Sequence, residues 1–348
     1  MLRHRRLTPL PIETRRELKR RDVTICIACL CAWSYGPTEL RKAAITASDR
    51  QITAGDIEYA PNQLKISFQD ANTIMLISGD CPTHSEALNQ TAKILKNNPN
   101  FTPLQRAETY AGCIRDVKFR HACNLYLETL GLSRDIFSKN DMAADGILGD
   151  LAAKVMSYRG EYTEAIVVSG DGESAHIYHV DRDSLATCRD DVGFVAIGAG
   201  EPHAKSQLMS TQYNNGMNFP TALGLLYAAK KRAEMAPGVG KETDLFVVYR
   251  TGHEEIWPEI KAEMERLYNE FESERLSLAD EKLRELAESL AVIGKNRQAA
   301  ASAASPSSSD PAPEDGKNHS SASEERTAEK RARNRSPRRR PQSQGPSQ

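Results

Sequence analysis

No stretch of this sequence approaches the run of about 18 apolar residues that a membrane-spanning helix needs, so no helical span and no membrane partner are expected. The basic residues at the start are not followed by an apolar core, which argues against a secretory signal. The seven cysteines are odd in number and never form two C-x-x-C pairs at zinc spacing. The eight histidines are scattered, with no H-x-x-x-H pair. Neither a metal nor a cofactor is therefore expected. Cys26-x-x-Cys29 stands alone inside an apolar run and reads as packing rather than redox or metal chemistry. Free thiols in this pattern suit a reducing cytosol, and a soluble, cytoplasmic protein is the expectation.

The formal net charge over 348 residues is only −1, but the charge is unevenly spread. Residues 1–22 and Lys330–Arg340 are rich in arginine and lysine, and the middle carries the balancing acids. The Arg331–Arg340 run contains Arg335-Ser336-Pro337 but no interleaved aromatic residue. It reads as a solvated tail, and nucleic acid is not an expected partner.

The patterning divides the chain into four parts. Residues 1–22 form a basic arm or leader, with one helical turn expected around Glu13–Arg21. Residues 23–253 form the main domain. Residues 254–298 form an amphipathic helical extension, and residues 299–348 a low-complexity tail expected to be disordered. In the main domain Val23–Cys31 is continuously apolar and reads as a buried strand, followed by the turn signal Ser34-Tyr35-Gly36-Pro37. Lys42–Asp49, Gln63–Phe68 and Thr73–Ile77 read as further strands. Pro82–Leu95 and Pro103–Leu130 then show helical spacing, and Gly131–Tyr158 reads as helix and loop. Glu164–Ser169 and Ser174–His179 form a hairpin about Gly170-Asp171-Gly172. This turn is only superficially like a calcium or phosphate loop. Phe194–Ile197 is a strand, Pro202–Tyr213 and Pro220–Met235 are helices, and Asp244–Tyr249 is the last strand. A helix pair after each strand group predicts two sheets face to face with helices outside. In the extension, Ile260, Met264, Leu267 and Phe271 share one helix face. Leu283, Leu286 and Leu290 share another, after a capping box at Ser277-x-x-Asp280.

The run Ala43–Asp80 (AAITASDRQITAGDIEYAPNQLKISFQDANTIMLISGD) contains a strand ending in Asp49 and a turn at Thr53-Ala54-Gly55. Lys65 follows 16 residues after Asp49, and Gly79 closes an apolar strand 14 residues later. In order and spacing this resembles proteasome subunits and their simpler bacterial relatives. Phe194–Ala204 is similar to the family's strand, glycine turn and helix, and Asp244–Tyr249 to its last core strand. The resemblance spans roughly residues 23–250. It implies an α/β fold, a four-layer αββα sandwich of the N-terminal-nucleophile (Ntn) hydrolase type.

It also implies a threonine-type peptidase. A threonine at the mature N-terminus attacks a peptide carbonyl, with its own α-amino group as general base. A lysine oriented by an aspartate tunes the nucleophile, and a glycine N–H holds the oxyanion. Residue by residue, the candidate catalytic groups are Thr24, Asp49, Lys65 and Gly79. The family's first strand begins Thr-Thr-apolar, whereas this chain has Val23-Thr24-Ile25-Cys26. One register puts Val23 at the catalytic position, and a shift of one residue puts Thr24 there. A nucleophilic Thr24 requires cleavage after Val23. Gly198-Ala199-Gly200 lacks the serine of active relatives, and Ala236–Lys241 lacks their aspartate and serine. Ala32–Arg41 inserts into the first hairpin. The implied partners are further copies of the chain in a ring-like homo-oligomer, an unfoldase or other subunit, and a peptide or unfolded-protein substrate. A catalytically inactive α-type-like subunit, or an adaptor acting through its basic tails, are the alternatives.

Overall fold

The computed structural model describes residues 24–34, 39–54, 57–59, 65–133 and 147–303. The N-terminal arm, Val23, Gly55 and residues 304–348 lie outside the described residues, and with them the expected helical turn, the Arg331–Arg340 run and most of the tail. Strands β1 (Cys26–Ser34) and β2 (Leu40–Asp49) come first, then β3 (Ile52–Ala54), β4 (Ile57–Tyr59), β5 (Ile66–Asp70) and β6 (Thr73–Gly79). Helices α1 (Cys81–Asn97) and α2 (Pro103–Tyr126) follow, with a 3-10 turn at Glu128–Leu130 and helix α3 (Ile147–Ser157). Next come β7 (Thr163–Gly170), β8 (Ala175–Val180), β9 (Ala186–Cys188) and β10 (Phe194–Ile197). Helices α4 (Glu201–Ser210) and α5 (Phe219–Ala233), strands β11 (Thr243–Val248) and β12 (His253–Glu255), and helix α6 (Pro258–Ala303) complete the order.

The fold is mixed α/β with two antiparallel five-stranded sheets. One has the order β10-β1-β2-β11-β12 and the other β5-β6-β7-β8-β9, while β3 and β4 pair as a separate ribbon. The continuously apolar β1 is buried on both faces, as such a run requires. Cys26, Ala28 and Leu30 pack with Ile74, Leu76, Ile166 and Ile177 of the second sheet. Ile27, Cys29 and Cys31 pack instead with Ala204 and Leu208 of α4 and with Ala222 and Leu226 of α5. On the second sheet, Met75 and Val167 join Ala87 of α1 and Tyr110, Ile114 and Val117 of α2. Period-two alternation thus assigns each strand residue to one of two cores.

Helix starts are fixed by local chemistry. Asp80 caps α1 by accepting from Thr83 N at 3.0 Å. Thr102 and Gln105 form a reciprocal capping box on α2. Both helices carry proline in the first turn, where its missing N–H costs nothing.

Several expectations change. Thr53 and Ala54, expected in a turn, belong instead to strand β3 and pair with Glu58 and Ile57. The described ends of the Ala32–Arg41 segment extend the first hairpin, for Ala32, Trp33 and Ser34 pair with Lys42, Arg41 and Leu40, while residues 35–38 lie outside the described residues. Trp33 anchors this extension edge-on to Phe219 and Tyr249, at centroid distances of 4.6 and 4.9 Å. The helix break at Ser277-x-x-Asp280 is absent, for α6 runs unbroken over 46 residues and past residue 299 to Ala303. No glycine or proline lies between Pro258 and Gly294, and the run is filled with strong helix formers. The short strands β9 and β12 have no periodic signal, being only three residues long.

The chain divides into two compact units, Met1–Leu278 and Ala279–Gln348, and the described residues 279–303 of the second are helical. No helix among the described residues is long and apolar enough to cross a membrane.

Candidate active site

β2 ends at Asp49, whose carboxylate is fully buried and organises the end of the first sheet. The β1–β2 register, with Cys26 opposite Ser48, carries Thr24 alongside it, and Asp49 N donates to Ile25 O at 3.2 Å. Asp49 Oδ1 accepts from Thr24 Oγ1 at 2.7 Å, from Ile25 N at 3.0 Å and from Lys65 Nζ at 2.8 Å. Asp49 Oδ2 accepts from Gly240 N at 2.9 Å and Gln51 N at 3.3 Å. Lys65 Nζ also donates to Thr24 Oγ1. The Thr24 hydroxyl therefore points its proton at a carboxylate and a lone pair at an ammonium. An adjacent ammonium favours the deprotonated form of such an oxygen.

The backbone of Thr24 is enclosed by the turn after β10. Gly200 N donates to Thr24 O at 3.2 Å. Gly198 has φ +94°, and a Cβ there would lie 2.5 Å from Thr24 O. Both the left-handed backbone and the close approach require glycine at 198.

Gly79 closes β6 with φ +109°, and a Cβ there would lie 2.1 Å from Tyr162 O. Its side-chain-free backbone is thus a packing requirement in its own right. The direction of its N–H follows from strand alternation. Ile77 N donates to Lys65 O at 3.3 Å, whereas Asp80 N donates the other way, to Tyr162 O at 2.8 Å. Amides two apart along a strand point the same way, so the Gly79 N–H is on the Lys65 edge. Cys26 Sγ also reaches Ile77 O at 3.5 Å, tying β1 to the same place. Thr24, Asp49 and Lys65 are therefore joined in one hydrogen-bonded group, and Gly79 ends the strand beside it.

Several contributors to this site carry no side-chain signal. The Gln51, Gly200 and Gly240 contacts are made by backbone N–H groups, which every residue but proline carries, although a Cβ at Gly200 or Gly240 would lie only 2.8 Å from Ala233 Cβ or Gln51 Cβ. Lys230 is different: it sits in the basic run Lys230-Lys231-Arg232, which reads as an ordinary helix end. Its ammonium is instead buried, donating to Glu234 Oε1 at 2.6 Å, Gly240 O at 3.0 Å and Lys241 O at 2.7 Å. It holds the loop whose amide holds Asp49. Burial pulls the Lys230 ammonium below its ordinary pKa, opposed by Glu234. Arg50, next to Asp49, is occupied elsewhere, with Nη2 2.5 Å from Asp244 Oδ1. The Cys26 thiol is pushed up to about 12 by burial, with Lys65 pulling the other way, so it stays protonated.

The other sequence motifs resolve simply. Cys26 and Cys29 are buried on opposite faces of β1 and are free thiols. In the Gly170-Asp171-Gly172 turn, Asp171 Oδ1 accepts from Glu173 N and Ser174 N, both at 2.8 Å, as a hairpin turn does. Among the described residues no cluster of His, Cys, Asp and Glu is arranged to hold a metal ion. The sequence matches no protein-family model and no curated protein.

Proposed function

We propose that this chain is a proteasome-like threonine peptidase of the Ntn-hydrolase type, with Thr24 as nucleophile once the peptide bond after Val23 is cut. The observation that carries the reading is the shared environment of the Thr24 hydroxyl, bonded at once to the Asp49 carboxylate and the Lys65 ammonium. A four-layer αββα arrangement is the fold this reading implies. It is supported by the three cores: helices against the first sheet, sheet against sheet, and helices against the second sheet.

In this mechanism the freed α-amine of Thr24 takes the Oγ1 proton as the oxygen attacks the substrate carbonyl carbon. Lys65 stabilises the charge developing on Oγ1, and Asp49 fixes Lys65. The Gly79 N–H donates to the carbonyl oxygen of the tetrahedral intermediate. Collapse breaks the C–N bond, the ammonium proton leaves with the departing amine, and water then hydrolyses the ester. One oxyanion donor contributes about 2.7–4 kcal/mol in comparable acyl transfers. The substrate class is peptide or unfolded protein, delivered by an unfoldase or other subunit.

The same reading proposes a homo-oligomer. The exposed leucines of α6 support self-association: Leu276, Leu283 and Leu290 recur every seven residues and Leu286 joins them, each more than half exposed.

A second reading, an inactive α-type-like subunit, is favoured by Ala199 in the turn around Thr24 and by a 236–241 loop that supplies backbone alone to Asp49. Hydrolysis of fluorogenic peptides separates the two. The peptidase predicts turnover that is lost in Thr24→Ala and Lys65→Ala; absence of turnover in processed protein supports the inactive subunit.

A further inference from the structure

His84 lies in the first turns of α1, six residues beyond Ser78, and is buried with Ser78 and Tyr110. Its two ring nitrogens are both engaged. Nε2 is 2.9 Å from Ser78 O, and Nδ1 is 2.5 Å from Tyr110 Oη. A carbonyl only accepts, so Nε2 carries the proton and donates to Ser78 O. Nδ1 of the neutral ring then accepts from the Tyr110 hydroxyl. Burial lowers His84 to about 4, with Lys118 acting in the same sense and the hydrogen bond to Ser78 and the Asp80 charge opposing it, so the ring is neutral at physiological pH.

Ser78 C=O and Gly79 N–H belong to one peptide unit. All described peptide bonds are trans, so that carbonyl and that N–H point in opposite directions. Fixing Ser78 O therefore fixes where the Gly79 N–H points. A hydrogen bond accepted at the carbonyl also polarises the amide and strengthens its N–H as a donor.

We infer that His84, held in one tautomer by Tyr110, is a positioning residue that aims and polarises the Gly79 N–H for the substrate's oxyanion. The inference rests on the peptidase reading and adds to it a residue that never touches substrate. His84 is a lone histidine in an amphipathic helix, and sequence alone offers no reason to select it.

Peptide boronates and peptide vinyl sulfones provide the test. A boronate forms a tetrahedral adduct on the threonine, with an oxygen where the oxyanion would sit. A vinyl sulfone alkylates the same nucleophile: Oγ1 adds to its β-carbon and the α-carbon takes a proton, without building an oxyanion. In His84→Phe, which keeps a ring but no donor, boronate affinity and kcat are each expected to fall at least about tenfold, with KM within about threefold. Vinyl sulfone labelling of Thr24 is expected to stay within about threefold of the unsubstituted protein. His84→Gln restores an N–H donor and is expected to recover most of the boronate affinity. Tyr110→Phe, which frees the tautomer, is expected to lose part of it, and these two variants decide the matter if His84→Phe does not fold. Equal losses towards both reagents, or no loss towards either, overturn the role of His84. Failure of vinyl sulfone to label Thr24 in the processed, unsubstituted protein overturns the peptidase reading itself and is read independently of any variant.

Discussion

Lys65 Nζ lies 2.8 Å from Asp49 Oδ1, the same oxygen that accepts the Thr24 hydroxyl at 2.7 Å. One carboxylate oxygen thus sets the position of both the proposed nucleophile and the ammonium that tunes it. The remaining oxygen is taken by backbone amides from the segments after β2 and before β11.

Asp49 and Lys65 should differ in what their loss does. Asp49→Ala strands a partly buried ammonium and three backbone N–H groups, and is expected to cost about 3–5 kcal/mol. Lys65→Met leaves Asp49 with its hydroxyl and amide donors, so about 1–2 kcal/mol is expected, with peptide turnover reduced at least about 100-fold. Urea unfolding alongside peptide hydrolysis reads both. A Lys65→Met protein as unstable as Asp49→Ala would show that the ion pair serves the fold alone.

Lys230→Met is expected to destabilise the protein by about 3 kcal/mol, because Glu234 and the carbonyls of Gly240 and Lys241 lose a buried ammonium. The loosened loop should also release Asp49 Oδ2, seen as faster hydrogen exchange at the Gly240 amide. Unchanged exchange there would uncouple Lys230 from the site.

Part of the candidate site is legible in the sequence, through a resemblance in motif order and spacing. Asp49, Lys65 and Gly79 stand out because their order and spacing resemble a family pattern, and the structure brings Asp49 and Lys65 together with Thr24. The apolar runs of β1, β6 and β7 are equally plain. Lys230 and His84 are not, since each looks like its bland counterpart: a lysine in a basic helix end and a histidine in a helix's first turns. Gln51, Gly200 and Gly240 contribute only backbone. The α6 helix is legible as amphipathic, but a Ser-x-x-Asp pattern mimics a start where the surrounding helix formers simply continue.

His84 makes stability depend on acid. Its folded pKa is depressed to about 4 from 6.5, so between these values the unfolded chain binds the proton more readily than the folded one. Stability contributed by the neutral ring is full above pH 6.5 and lost as pH falls towards 4, on the order of 3 kcal/mol in total. His176 acts in the opposite sense, because Asp190 and Asp171 raise its pKa, so its stabilisation is greatest at low pH. His179 is lowered by burial, in the same sense as His84. The difference between the unsubstituted and His84→Gln unfolding profiles isolates His84. A difference that stays flat across this window would refute its neutral burial.

Leu283 and Leu290 are 63 % and 58 % exposed, so replacing both with glutamate should leave domain stability within about 0.5 kcal/mol per site. Sedimentation of the double variant should show smaller assemblies than the unsubstituted chain at micromolar concentration. Identical sedimentation would remove α6 from the self-association surface.

Intact mass and N-terminal sequencing of the purified, peptidase-competent protein test the Thr24 assignment most directly. Cleavage between Val23 and Thr24, with a chain beginning at Thr24 and peptide turnover that appears with it, is the predicted result. A stable chain that keeps Val23 joined to Thr24 while hydrolysing peptides, or one that is cut there and remains inert, would contradict it.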